Sequence, residues 1–283
     1  MVFDVFWNLF RKSLGNNVYT ILKSSRFGRP YTYFSLPTFS DIFNRYKNTG
    51  ISFKGKKILE VGGGNQFFTA FFFLKSGVRS VLFADPVFTS NTSPVYESQK
   101  VEFLAHFKNL TFPEPEPIHT YVSLESIPVS ENGACDFICS HFVLEHFRDL
   151  DSFFKQTKRL LSANGTCFNV VDLSDHVYQL FNSRKATRWI YQTRLLYHLR
   201  YSDRFYNMVT DRRIWVNRLL IPSYRKLARK YDLEISDIEP LYCPETKIHP
   251  DLLKRESIDN EKELYVSHFS FRLSKKQQGS HGG

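Results

Sequence analysis

The sequence is poor in cysteine: Cys135, Cys139, Cys167 and Cys243 are the only four in 283 residues, and none stands in a Cys-x-x-Cys pair. That spacing argues against a zinc knuckle or a thioredoxin-type motif. It reads as reduced thiols in a cytoplasmic protein, with no metal site expected. No apolar run reaches the ~18 residues of a membrane span. The opening residues MVFDVFWN carry no basic stretch of the kind that begins a signal peptide, and internal repeats are lacking. Phenylalanine, by contrast, is abundant at 28 residues. The composition is 16% aromatic and 42% hydrophobic, which excludes a disordered chain and suffices for a substantial core.

The stretch around which the chain is organised is KILEVGGGNQFFTAFFFLKSGVRSVLFADP, residues 57–86. Its pattern predicts strand, glycine turn, helix, and a second strand ending in Asp85. In an open α/β sheet, ligands sit beyond the carboxyl ends of the strands, where glycine lets backbone approach closely and a helix N-terminus faces the site. Asp85 lies 21 residues after Gly64, about where an acid holding ribose hydroxyls is expected. An adenosine-containing cofactor follows. Two further absences narrow it. A nicotinamide fingerprint needs a third small residue where this chain has Phe67, and a P-loop needs Gly-Lys-Ser/Thr, which does not occur.

What remains, Glu60-x-Gly62-x-Gly64, resembles motif I of the class I S-adenosylmethionine-dependent methyltransferases. Three later stretches extend the likeness. Residues 118–124 form a third strand, followed by Glu125-Ser126-Ile127-Pro128, where the family often has Asp-x-Glu-x-Leu-Pro. The first acid of that pattern is Ser123 here, which shifts adenine recognition onto Leu124 and Glu125. Asp136 to Ser140, then His141 to His146, are similar to the family's fourth strand and its Leu-Glu-His element. Helix 150–161 leads to Ser162-Ala163-Asn164-Gly165, which resembles a Pro-Gly-Gly turn, with Asn164 and Gly165 able to take φ > 0. A fifth strand, 166–171, ends in Asp172-Leu173-Ser174-Asp175-His176.

The resemblance covers roughly residues 50–176 and is nearest the small-molecule, type 11-like branch. It implies a Rossmann-like, doubly wound, seven-stranded and mostly parallel α/β sheet with a helical cap inserted after the fifth strand. It also implies S-adenosylmethionine as cofactor, held by Glu60, Gly62, Gly63, Gly64, Asn65, Asp85, Pro86, Leu124, Glu125, Ser140 and His141. The chain divides into an N-terminal helical and lid segment (1–49), the cofactor-binding core (50–176), a cap (177–231), the final strands (232–273) and a polar tail (274–283). Strands are expected at 233–238 and 264–273, the last antiparallel. The apolar stripe of residues 2–22 packs on its own domain or, alternatively, lies on a membrane surface. Ser40 is expected to cap a helix over 41–48.

The segment 184–230 speaks to substrate. It carries 13 Lys or Arg against two acids, as much net positive charge as the whole chain's +10, with eight Trp, Tyr and Phe interleaved. Long helices with one apolar and one basic face are expected there. Arginine favours planar contact with carboxylate or phosphate, so a small anionic acceptor is the favoured partner, for example a precursor of a surface polysaccharide. Nucleic acid is the alternative, and a merely solvated face is the plain reading. Tyr31, Tyr33, His146, Arg194, Arg200 and Arg204 are the candidate substrate contacts. Bases are sought at the ends of the fourth and fifth strands: His176 first, with Asp172 or Asp175 to orient it, then His141. An RNA methyltransferase and a catalytically silent binding subunit are the competing functions. The lack of an Asn-Pro-Pro-Tyr motif after strand four argues against base-amino methylation of nucleic acid.

Overall fold

The computed structural model describes residues 35–64, 66–86, 94–113, 117–176, 195–210, 215–243 and 261–276. Tyr31, Tyr33, Asn65 and Arg194 lie outside these residues, as do the apolar stripe 2–22 and the polar tail beyond 276. Seven strands form one sheet: β1 Lys57–Val61, β2 Ser80–Ala84, β3 Ile118–Tyr121, β4 Cys135–His141, β5 Leu161–Asp172, β6 Leu233–Tyr242 and β7 Val266–Lys275. Their order is β3-β2-β1-β4-β5-β7-β6. The first five are parallel, and β7 pairs antiparallel to both β5 and β6. This is the expected doubly wound α/β sheet with its last strand inserted antiparallel.

Six α-helices are described: α1 Leu36–Lys47, α2 Phe68–Lys75, α3 Pro94–His106, α4 Leu150–Leu160, α5 Asp203–Val209 and α6 Ile221–Lys230. On one side of the sheet, α1, α2 and α3 bury a phenylalanine-rich layer. The short α2, FTAFFFLK, is buried from Phe68 to Leu74. Phe43 meets Phe72 at 5.2 Å and Phe73 at 5.3 Å, while Phe71 packs on Tyr96, Phe103 and Phe112. On the other side α4 and α6 present apolar stripes, Phe153 and Phe154 among them, to a layer that includes Tyr224, Phe269 and Phe271. Asp149 caps α4 by accepting from the Ser152 N–H at 3.0 Å.

Several boundaries differ from expectation for identifiable reasons. Helix α1 starts at Leu36 behind Ser35, with Pro37 in its first turn, so Ser40 is interior; proline's fixed φ and missing N–H suit that opening turn. Asn164 and Gly165 do not use φ > 0. They lie within β5, where a Cβ at Gly165 would come 2.8 Å from the Cys135 carbonyl, so close approach is what glycine supplies there. Edge strand β6 runs on to Tyr242 past a bulge between Ser236 and Glu239, with Asp237 at φ 48° and Pro240 tolerated at the edge. Among the described residues of the cap, the helices are short where long ones were expected. Residues 215–220 cross between α5 and α6 without helical structure, and Pro222 opens α6.

Candidate active site

Strand order reverses between β1 and β4, which is where such sheets open a crevice at their carboxyl ends. The register lines the site up. Tyr121, Ala84, Val61, Ser140 and Asn169 stand side by side across five strands, so Asp85, Gly62, His141 and Val170 form the next row. The glycines have separate reasons. Gly62 has φ +78° and donates its N–H to the Ala84 carbonyl at 2.9 Å; a Cβ there would come 2.2 Å from Val143 Cγ1. A Cβ on Gly63 would come 2.4 Å from Phe83 Cζ. Gly64, at φ +62°, has open space above it and donates its N–H to Asp85 Oδ2 at 2.8 Å.

Asp85 is thus buried against the loop whose shape it holds. Glu60 lies at the foot of that loop, 5% exposed, and its Oε2 is buried with no hydrogen-bond partner among the described residues. Burial chiefly, with the charge of Asp85 adding and the Thr69 hydroxyl opposing, raises its pKa to about 8. At neutral pH this carboxyl is mostly protonated. Pro86 is exposed beside Asp85.

After β4 the chain turns sharply at Phe142, whose φ of 56° is costly for a bulky residue and marks a strained corner at the crevice. Phe142 is partly exposed and packs on His141 at 4.3 Å and His268 at 5.1 Å. The His141 ring is half-buried and its pKa falls to about 3, mainly by desolvation, with Arg45 and His268 contributing. It is a neutral imidazole. Ser140 is 1% exposed and donates its hydroxyl to Asn169 Oδ1 at 2.8 Å, inside the sheet. Leu124 and Glu125 face α4: the Leu124 carbonyl accepts from Arg159 at 3.0 Å, and Glu125 accepts from the Ser152 hydroxyl.

A second constellation lies over the ends of β4 and β5. Asp172 Oδ2 is 3.3 Å from His176 Nε2 and 3.5 Å from His268 Nε2, while Oδ1 accepts from the Ser174 N–H at 2.8 Å and its hydroxyl at 2.5 Å. Burial would raise this carboxyl, but the bonds and charges of His176 and His268 outweigh it and hold it well below the ordinary range. His176, 2% exposed, packs on His146 at 5.0 Å. His146 Nδ1 is 2.9 Å from the Trp215 carbonyl. Since a carbonyl only accepts, Nδ1 carries the proton and Nε2 the lone pair. Glu145, in the 3-10 turn Leu144–His146, is buried, and Asp172's charge adds to desolvation in raising its pKa. Asp175 is buried nearby, its N–H donating to the Leu195 carbonyl at 2.6 Å.

The cap segment closes over this cluster. Asn217 donates its backbone N–H to the Glu145 carbonyl at 2.7 Å and its side-chain amide to the Leu144 carbonyl at 2.8 Å. Arg218, at φ 62°, donates to the His198 and Tyr201 carbonyls, pairs with Asp203 and lies over the Tyr206 ring. Of the arginines expected to meet substrate, Arg200 stacks over Tyr197 and Arg204 is exposed on α5. Sequence reasoning passed over Glu145, His198, Arg218 and His268 as site residues. His268 carried little signal, standing in a strand that alternates polar and apolar residues, and Arg218 was one cation among thirteen.

The chain and its fold are similar to known proteins. A family described as a methyltransferase domain matches residues 36–236. An S-adenosylmethionine-dependent methyltransferase from Mesorhizobium loti is similar in structure at 13% identity and TM-score 0.49, over 81% of this chain and 95% of that one. A Haemonchus contortus phosphoethanolamine N-methyltransferase, solved with phosphomonomethylethanolamine and S-adenosylhomocysteine, is similar at 13% identity and TM-score 0.50, over 94% of this chain and 60% of that one. At 13% identity the Haemonchus contortus likeness speaks to the fold alone. No curated protein matches the sequence. With the family matched across most of the chain and the glycine loop of β1 at the sheet's switch point, this chain belongs to the class I S-adenosylmethionine-dependent methyltransferases.

Proposed function

We propose that the enzyme methylates a hydroxyl of a small anionic acceptor: phosphorylated, carboxylated or nucleotide-linked. The single observation that carries this reading is the pairing of two sites at one sheet edge. A glycine loop with its two acids stands at the ends of β1 and β2, and a buried histidine–carboxylate cluster stands beside it at the ends of β4 and β5. The residues fit the cofactor. Glu60 offers a buried carboxyl oxygen without a partner, and the three glycines leave backbone where side chains would collide or strain.

When bound, S-adenosylmethionine would supply an electrophilic methyl group for in-line displacement from its sulfonium, leaving the acceptor's proton to be taken up. The protein's part is alignment, exclusion of water and acceptance of that proton. Glu60 would hold the cofactor's ammonium group and would ionise against it. Asp85, which holds the loop, would hold the ribose, and the packed pair Phe142 and His141 would separate cofactor from acceptor. The cluster of Asp172 and His176, with Asp175 at its rim, activates the acceptor oxygen. His146 and the cap arginines Arg200 and Arg204 belong to the acceptor side.

Arg218 and Arg225 and Lys230 are each tied to an acid, Asp203, Glu263 and Asp151 respectively, which favours a compact cap over an open basic track for RNA. The test is transfer of radiolabelled methyl to a panel of sugar phosphates, hydroxy acids and nucleotide sugars, run beside RNA oligomers. Labelling of a small acid supports the proposal. Labelling of RNA alone, or of nothing by a protein that binds cofactor, refutes it.

A further inference from the structure

Glu145, His146 and His176 each offer one ligand atom, and these atoms lie within 4.8 Å of one another. We infer that these three side chains bind a divalent transition-metal ion of mixed nitrogen and oxygen preference, such as Zn²⁺ or Mn²⁺.

Three independent features support the site. First, both carboxylate oxygens of Glu145 are buried without a hydrogen-bond partner among the described residues, and Glu145 has no ion pair there. A buried carboxylate is retained when it is paired or coordinates a metal. Second, His146 is already set as a ligand: its Nδ1–H is committed to the Trp215 carbonyl, which fixes the tautomer and leaves the Nε2 lone pair available. Metal-bound histidines almost always donate their other N–H in this way. Third, Asp172 lies 3.3 Å from His176, so the second imidazole also has a carboxylate partner to orient it.

The spacing is close to what a metal needs. Ligand atoms around a tetrahedral ion with bonds of ~2.1 Å lie about 3.4 Å apart. Glu145 and His146 share one short turn whose backbone is clamped by Asn217, so a small inward shift of side chains completes the set. Three protein ligands leave a position open, the arrangement of reactive rather than purely structural sites. Two imidazoles with a carboxylate suit zinc, manganese, iron or cobalt better than magnesium. Resting on the methyltransferase reading, the ion's role is to polarise the acceptor oxygen, which makes His176 a ligand in place of a free base. The donors are a glutamate and two histidines, so the scarcity of cysteine, which argued against a metal site, has no bearing on them.

The test uses full-length protein stripped with chelator and titrated calorimetrically with Zn²⁺, Mn²⁺ or Mg²⁺ alone, with bound metal counted by mass spectrometry. One Zn²⁺ or Mn²⁺ per chain is expected, with Mg²⁺ bound far more weakly. Glu145→Gln and His146→Gln should lose stoichiometric binding, and Asp172→Asn should weaken it by about 10–100-fold. Pulsed electron paramagnetic resonance of Mn²⁺ in the wild type should show imidazole nitrogen coupling, a readout that stands if the variants fail to fold. Folded wild type without stoichiometric binding, or binding without nitrogen coupling, overturns the site. S-adenosylhomocysteine titrated in chelator separates the two readings: its failure to bind would refute the methyltransferase assignment while leaving the metal result to stand by itself.

Discussion

Glu60→Gln should make the protein more stable and a poorer binder of its cofactor, with both effects set by one proton. The folded-state pKa of about 8 exceeds the ordinary 4.5, so between these values the folded protein holds a proton that the unfolded chain has released. Stability in the wild type therefore falls as pH rises through that window, by ~1.4 kcal/mol per unit. Glutamine keeps the shape and removes the titration. The advantage of Glu60→Gln should grow by up to about 4 kcal/mol between pH 5 and pH 8, and stay flat below pH 4. Urea unfolding at each pH measures it. In the same protein, calorimetry with S-adenosylmethionine at pH 7 in buffers of different ionisation enthalpy should show close to one proton released on binding. Glu60→Gln should abolish that release and weaken binding at least about tenfold, ~1.4 kcal/mol. A stability difference independent of pH, with no proton released by the wild type, would refute the reasoning, because Glu60 would then be ionised throughout.

Gly62→Ala must place a methyl against Val143 at a positive φ, so it should cost about 1–3 kcal/mol and weaken cofactor binding, read by thermal melts with and without S-adenosylhomocysteine. Phe73→Ala removes a ring packed on Phe43, Phe53 and Phe137 and should destabilise by about 3–5 kcal/mol in urea, without changing cofactor affinity in the protein that remains folded. His141, neutral when folded with a pKa of about 3, takes up its proton near 6.5 when unfolded, so stability falls as pH drops below that value. His141→Gln should reduce the loss between pH 6.5 and pH 5 by about 2 kcal/mol.

The core of the fold was legible because its signals are local and strong. Apolar runs bounded by glycines and acids gave β1, β2 and β4, and the 21-residue spacing from Gly64 to Asp85 is bridged in the structure by a hydrogen bond between them. Element ends were less legible. Ser40 is as good a cap as Ser35, and only Pro37 tips the choice. Gly165 read as a turn glycine, yet its reason is the Cys135 carbonyl pressed against it, a contact between strands that no local pattern reveals. The acceptor side was hardest. The charge of the basic segment pointed to Arg200 and Arg204, but Arg218 instead binds the cap together, and Glu145 gains meaning only when β5 brings His176 beside it. Histidines and acids distant in sequence meet through topology, which composition does not encode.

The most direct test of the central claim is calorimetric titration of S-adenosylhomocysteine into the wild type and Asp85→Ala. Asp85 holds the Gly64 N–H at 2.8 Å and borders the crevice, so the account predicts clear one-to-one binding by the wild type and at least about tenfold weaker binding by the variant. Absence of binding by a folded wild type would contradict it.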